Sequence, residues 1–136
     1  MTPSSELLDA ARSARERAYA PYSNFRVGAA VKTADGAIVG GCNVENASYG
    51  LSICAERVAL TAAVAAGHTR ILAIAIAGPP DTETAPCGAC RQFIAEFDSA
   101  MPVTFTTAGE PVCLSLAELL PHSFGPHSLH DASSRL

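Results

Sequence analysis

Charge is scarce in this sequence. Only 16% of its 136 residues are Asp, Glu, Lys or Arg, and tryptophan is absent. No basic run occurs, and thirteen acidic residues outnumber nine basic ones to give a net charge of −4. Proteins that grip a phosphate backbone need a positive stripe, because counterion release supplies most of that affinity. A nucleic-acid polymer is therefore not an expected partner, and a small neutral ligand fits better. No apolar run reaches membrane-spanning length. Residues 1–19 carry scattered charges and lack the apolar core of a secretory signal, so a cytoplasmic chain with no membrane partner is expected. Cysteine is present in an odd number, five, which argues against a disulfide framework and leaves thiols free to bind metal.

What is abundant is apolar side chain, at 49% of residues. The length suits one domain over 1–136, ending in a polar tail from about residue 125. So little charge over so much apolar surface points to a face covered by another subunit. Leu7, Leu8, Ala11, Ala14 and Ala18 recur at helical spacing behind the possible caps Ser4 and Ser5, before Pro21. Residues 26–33 and 37–44 read as strands around the turn signal Asp35-Gly36. From 53 to 66 a helix is expected that is apolar on nearly every side, hence buried all round by sheet and by other helices or subunits, with Gly67 closing it. Strand 71–77, helix 86–97, and strands 103–106 and 112–114 follow. Ser115 and Glu118 then form a capping-box pattern that opens a short helix. Strand–helix–strand units of this kind predict a central, mostly parallel sheet with an antiparallel opening hairpin.

Two short segments carry the chemistry. Cys54-Ala55-Glu56 and Pro86-Cys87-Gly88-Ala89-Cys90 each stand at the predicted start of a helix, with one crossover strand between them. Such a crossover sets the two helices side by side with both N-termini aimed at one place. Partial positive charge at those ends favours thiolate at Cys54, Cys87 and Cys90, the state a zinc ligand requires. Three protein ligands leave a fourth tetrahedral position open, as in catalytic zinc sites. Glu56, in the first turn after Cys54, is placed to handle a proton rather than to ligate. The bland readings are a metal-free group of cysteines or a structural zinc knuckle. A knuckle would want a fourth ligand and has no use for Glu56. Cys42 and Cys113 fall inside predicted strands and read as core. His68, His122, His127 and His130 lack ligand spacing to either cysteine cluster and read as solvated.

Cys54-Ala55-Glu56-Arg57 together with Pro86-Cys87-Gly88-Ala89-Cys90-Arg91-Gln92 resembles the small, homotetrameric, zinc-dependent cytidine deaminase family. Residues 43–49 (Asn-Val-Glu-Asn-Ala-Ser-Tyr), 20–28 (Ala-Pro-Tyr-Ser-Asn-Phe-Arg-Val-Gly), and Leu119-Leu120-Pro121 followed by Phe124 match that family in order and spacing. The resemblance covers roughly residues 19–124. It implies a three-layer α-β-α fold with a mixed five-stranded sheet, one Zn²⁺ per chain, and a homotetramer with shared active sites. It implies that Phe25 packs on the pyrimidine, Asn43 and Glu45 bind the ribose hydroxyls, and the Ala55 N–H holds the base carbonyl. Tyr49 and Phe124 resemble residues that line a neighbouring subunit's site. Arg57 is similar to an arginine that donates to the ligating sulfurs and offsets the excess negative charge of three thiolates on one dication.

The implied reaction is hydrolysis of cytidine, and of 2′-deoxycytidine, to uridine or deoxyuridine and ammonia, in pyrimidine salvage. In the general scheme for zinc deaminases a non-ligand glutamate serves as base and acid in turn, here Glu56. Other zinc nucleobase or nucleoside deaminases remain the nearest alternatives, and Asn43 with Glu45 argues for a ribose-bearing ligand. From a different class, a non-catalytic zinc-binding module stays open at this point.

Overall fold

The computed structural model describes residues 1–133. Helix α1 (Ser5–Arg15) precedes the hairpin strands β1 (Gly28–Thr33) and β2 (Ile38–Cys42), and a 3₁₀ turn covers Tyr49–Leu51. Then come α2 (Ala55–Ala65), β3 (Ile71–Ala77), α3 (Gly88–Ala95), β4 (Pro102–Phe105) and β5 (Val112–Ser115). The short α4 (Leu116–Leu119) and then α5 (Pro126–Ser133) complete the order.

One five-stranded sheet has the order β2-β1-β3-β4-β5. The expected mixed sheet is present, but it is not mostly parallel. Only β3 and β4 pair parallel, whereas β1–β2, β1–β3 and β4–β5 are antiparallel. The reason lies in β1. The hairpin inserts it between β2 and β3, so the two strands joined through α2 never touch. The crossover through α3 does join neighbours, and its pair is the parallel one.

Side chains alternate across the sheet. Ala30, Ala75 and Ala77 face Leu7, Leu8 and Ala11 of α1. Ala29, Val31, Ile74 and Ile76 face the other way, onto Ala59, Leu60 and Ala63 of α2 and Ile94 of α3. The helices therefore lie on both faces, three layers in all. Complete burial of Leu7, Leu60, Ile74, Ile76 and Ile94 contributes about 1.5–3 kcal/mol per side chain. Glycine permits the close approach on each side. A Cβ at Gly28 would lie 2.9 Å from Arg15 Cα on α1, and one at Gly41 would lie 2.8 Å from Ala59 Cα on α2.

Local signals act as expected at several ends. The Ser4 hydroxyl accepts the Leu7 N–H at 3.3 Å and caps α1, although the helix stops at Arg15 and leaves Ala18 beyond it. Ser115 and Glu118 form the full capping box of α4. Within the single chain the sheet and α3 cover only one side of α2, and Thr61, Val64 and Ala65 face outward. Two expectations are corrected. The segment after Phe124 is not simply a polar tail, since α5 forms there with Pro126 as its first residue, a position where its missing N–H costs nothing. His68 is not solvated: its ring is half-buried and its Nδ1 lies 3.3 Å from Asp35 Oδ1. Cys113 is buried in β5. Cys42 is half-buried at the end of β2, its thiol directed at the Arg17 carbonyl at 3.5 Å.

Candidate active site

Helices α2 and α3 lie against each other on one face of the sheet. Cys54 is the N-cap of α2 and Cys87 the N-cap of α3, both with extended backbone and neither with a side-chain capping bond. Cys90 follows one turn into α3 and is buried. The three Sγ atoms all lie within 4.8 Å of one another. Among the described residues this is the one group of three His, Cys, Asp or Glu side chains close enough to hold a metal ion.

The three sulfurs differ in their electrostatics. Hydrogen bonding from Cys90, then donation and positive charge from Arg57, pull the Cys54 thiol down to about 5. Cys90 goes the other way. Its hydrogen bond to Cys54, its burial, and the negative charges of Glu56 and its fellow sulfurs all hold its proton on. Three thiolates this close repel one another unless a cation sits among them. Soft thiolate donors, two of them at helix N-termini, suit zinc. The residues present therefore fit the metal, with Cys54, Cys87 and Cys90 to hold it.

Glu56, in the first turn of α2, is 4% exposed. Burial above all, with the neighbouring Cys54 charge, raises its pKa above the usual carboxylate range. A carboxyl tuned upward is suited to both accepting and returning a proton near neutrality. Arg57 is as expected a neighbour of the sulfurs. Its Nη2 donates to Cys54 Sγ at 3.8 Å and to the Ser52 carbonyl at 3.4 Å. Its Nε is buried and has no partner among the described residues.

A cavity of about 230 Å³ brings Phe25, Asn43, Cys54, Ala55, Glu56 and Cys87 together, closed by Val27, Thr84 and Ala85. Backbone pairing explains how distant residues meet there. The strand end after β2 is held on both sides, by Tyr19 N–H to Asn43 O (2.9 Å) and by reciprocal bonds between Val44 and Ile53 (3.0 and 2.9 Å). The second clamp ends one residue before Cys54.

Asn43 and Glu45 turn to the same side, as a spacing of two in extended chain requires, and both contact the 19–27 segment. Asn43 Oδ1 accepts Val27 N–H at 2.9 Å and its Nδ2 donates to Phe25 O at 2.7 Å. This amide thereby fixes the backbone from the Phe25 carbonyl to the Val27 N–H, on either side of the Arg26 Cα. Glu45 accepts the Tyr22 and Ser23 N–H groups at 3.0 and 3.1 Å and the Ser23 hydroxyl. These bonds, led by that of the Ser23 hydroxyl, keep its pKa below the usual range and the carboxylate ionised. Glu45 does not line the cysteine cavity. It lines a second one, of about 270 Å³, with Tyr22, Ser23, Tyr49 and Ser52. Tyr49 stacks obliquely near Tyr22, with ring centroids 6.0 Å apart, and is 77% exposed. Phe124 is 61% exposed and lines neither cavity.

Sequence reasoning missed Ser23 and Thr84. Ser23 Oγ also accepts the Phe25 N–H at 3.0 Å, so one hydroxyl joins Glu45 to Phe25. Thr84, buried, takes its place through a backbone bond to Thr106 O at 2.9 Å. Ser23 lies inside the 20–28 motif and Thr84 just before Pro86, and neither carries a further local signal of its role.

Known proteins resemble this chain over most of its length. Residues 1–106 match the family described as the cytidine and deoxycytidylate deaminase zinc-binding region. A cytidine deaminase of Sporosarcina psychrophila is 42% identical over 132 residues, covering 96% of this chain and 97% of that protein. The crystal structure of cytidine deaminase from Burkholderia pseudomallei superposes with a TM-score of 0.84 at 51% identity, covering 91% of this chain and 100% of that one. The enzyme of that name from Mycobacterium tuberculosis gives 0.77 at 41% identity, over 88% and 95% of the two chains.

Proposed function

Because the chain belongs to the cytidine and deoxycytidylate deaminase zinc-binding family, we propose that it hydrolyses the exocyclic amine of cytidine, giving uridine and ammonia. The observation that carries this reading is the juxtaposition of three sulfurs within 4.8 Å of one another with the buried Glu56 on the same helix as Cys54. Cys54, Cys87 and Cys90 would hold the zinc, which when bound would make a water acidic enough to serve as nucleophile at neutral pH.

The chain's own residues do the rest. Glu56 accepts the proton given up by the attacking water and delivers it to N3 of the base. The same carboxylate then takes the second proton, from the hydroxyl now on C4, and hands it to the departing amine as the C4 carbonyl forms, so no second acid is needed. The Ala55 N–H, at the first position of α2, has no intrahelical acceptor and is free to hold the base carbonyl. Phe25 presents its ring to the pyrimidine from a backbone that Ser23 holds at its N–H and Asn43 at its carbonyl. Asn43 and Glu45 keep lone pairs and one amide hydrogen for the ribose hydroxyls, even with their internal bonds made. Arg57, held charged by its bond to Cys54, offsets the negative charge of the sulfurs.

On the same reading 2′-deoxycytidine is also a substrate, and the enzyme serves pyrimidine salvage in the cytoplasm as one catalytic domain. It assembles as a homotetramer in which Tyr49 and Phe124 complete a neighbour's site. The outward positions of Tyr49, Leu51, Ile53, Val64 and Phe124 support that assembly, since each leaves apolar surface in water in the single chain.

The test is loss of cytidine absorbance with matching ammonia release. Turnover is expected to stop after prolonged treatment with a strong chelator and to return on adding zinc. Full activity in protein shown by elemental analysis to hold no metal would refute the reading.

A further inference from the structure

The three sulfurs are not equally supported. Cys90 is buried within α3, and Cys54 follows the Val44–Ile53 clamp. Cys87 is exposed, and it ends the long connection between β3 and α3. Something must fix the peptide that leads into it. That peptide's carbonyl belongs to Pro86, whose side chain is fully buried. It accepts the Arg91 Nε–H at 2.8 Å.

The same guanidinium reaches further. Arg91 Nη1 donates at 2.8 Å to the carbonyl of Leu119, the last residue of α4. Carbonyls at a helix C-terminus have no intrahelical partner and need one from outside. A planar fork with fixed donor directions can serve two carbonyls at once, which a lysine's single ammonium point cannot do at this geometry. Gln92, the next residue, donates its Nε2 to the Phe124 carbonyl at 2.8 Å. Consecutive side chains on α3 thus hold the chain from Leu119 to Phe124 against the helix that carries two of the sulfurs.

We propose that Arg91 is the positioning residue of Cys87, holding the Pro86–Cys87 peptide against the end of α4 so that this sulfur stays in reach of the other two. The role rests on the assignment of Cys54, Cys87 and Cys90 as the metal ligands. It predicts an effect on the metal itself, separate from any effect on the substrate.

Cobalt(II) in place of zinc makes the ligand set visible, through thiolate-to-cobalt charge transfer and the d–d bands. Arg91→Met keeps the stem and removes every donor. It should shift the d–d bands and release cobalt to a chelator at least tenfold faster than the wild type. Arg91→Lys, which can serve one carbonyl, should fall between. Gln92→Leu should leave spectrum and release unchanged, because it spares the Pro86 carbonyl. Wild-type spectrum and release in Arg91→Met would overturn the proposal. Should that variant not fold, the same outcome in Arg91→Lys would do so. Wild-type protein that binds cobalt without any thiolate charge transfer would overturn the ligand assignment underneath, an outcome distinct from a failure of Arg91 alone.

Discussion

At the scale of single residues, the cysteines and Glu56 were legible because their chemistry is written in short spacings. A thiol pair three apart and a Cys-x-Glu at a helix start fix local geometry before any tertiary contact forms. Ser23, Thr84 and Arg91 were not legible as working residues. Their roles consist of hydrogen bonds to Glu45, Thr106, Pro86 and Leu119, most of them far along the chain, and no spacing rule announces such a partner. Glu45 shows a mixed case. Its pairing with Asn43 on one side of the chain followed from period two, while its place in a cavity apart from the cysteines did not. The sharpest residue-level prediction concerns Glu56. Glu56→Gln keeps volume and hydrogen-bonding capacity but cannot take up a proton. Turnover should fall by roughly 10²–10⁴-fold, the usual worth of a general acid–base group, while elemental analysis still finds one zinc per chain. Turnover within a fewfold of the wild type would remove Glu56 from the proton path.

At the scale of elements, the helices and strands were mostly visible in periodicity, and their caps in single residues such as Ser4 and Ser115. Strand direction was not visible. The pattern of β-α-β units suggests parallel pairing, but which strands become neighbours depends on where the hairpin folds over, and β1, lying between β2 and β3, pairs antiparallel with β3. Two glycines then set how closely the layers approach. Gly41 in β2 passes Ala59 of α2 so tightly that an added Cβ would overlap its backbone. Gly41→Ala must therefore push α2 outward, carrying Ala55 and Glu56 at its N-terminal end with it. Overpacking of this kind costs about 1–3 kcal/mol, to be read from chemical denaturation. Because catalysis depends on placement, kcat/KM should drop together with stability. A variant of unchanged stability would mean that the sheet and helix can slide apart without strain. Gly109, where a Cβ meets no atom closer than 4.0 Å, supplies the control, and Gly109→Ala should match the wild type in denaturation.

At the scale of the whole molecule, the low charge content and the apolar character of residues 53–66 pointed beyond one chain, and the folded chain leaves that surface open. Val64 on α2, Leu51 and Tyr49 before it, and Phe124 far away in sequence all face outward. Phe124 is the informative one. Its carbonyl is tied to Gln92 of its own α3, yet its ring lines neither cavity of its own chain. If it acts on substrate, it acts on a neighbour's. Phe124→Ala should then lower kcat/KM for cytidine by about tenfold, the worth of one aromatic contact, with the assembly intact by sedimentation. Complementation decides whether that contact crosses subunits. A Phe124→Ala chain keeps its own Glu56, and a Glu56→Gln chain keeps its own Phe124. Co-expressed under two tags and purified through both, the hybrids contain sites that combine the intact half of each. Such sites should work with wild-type kcat/KM, so the hybrid should exceed the activity of either variant assembled alone. If Phe124 served only its own chain, every site in the hybrid would lack one of the two groups. Activity would then be no higher than the Phe124→Ala subunits alone provide, and sharing between subunits would be ruled out.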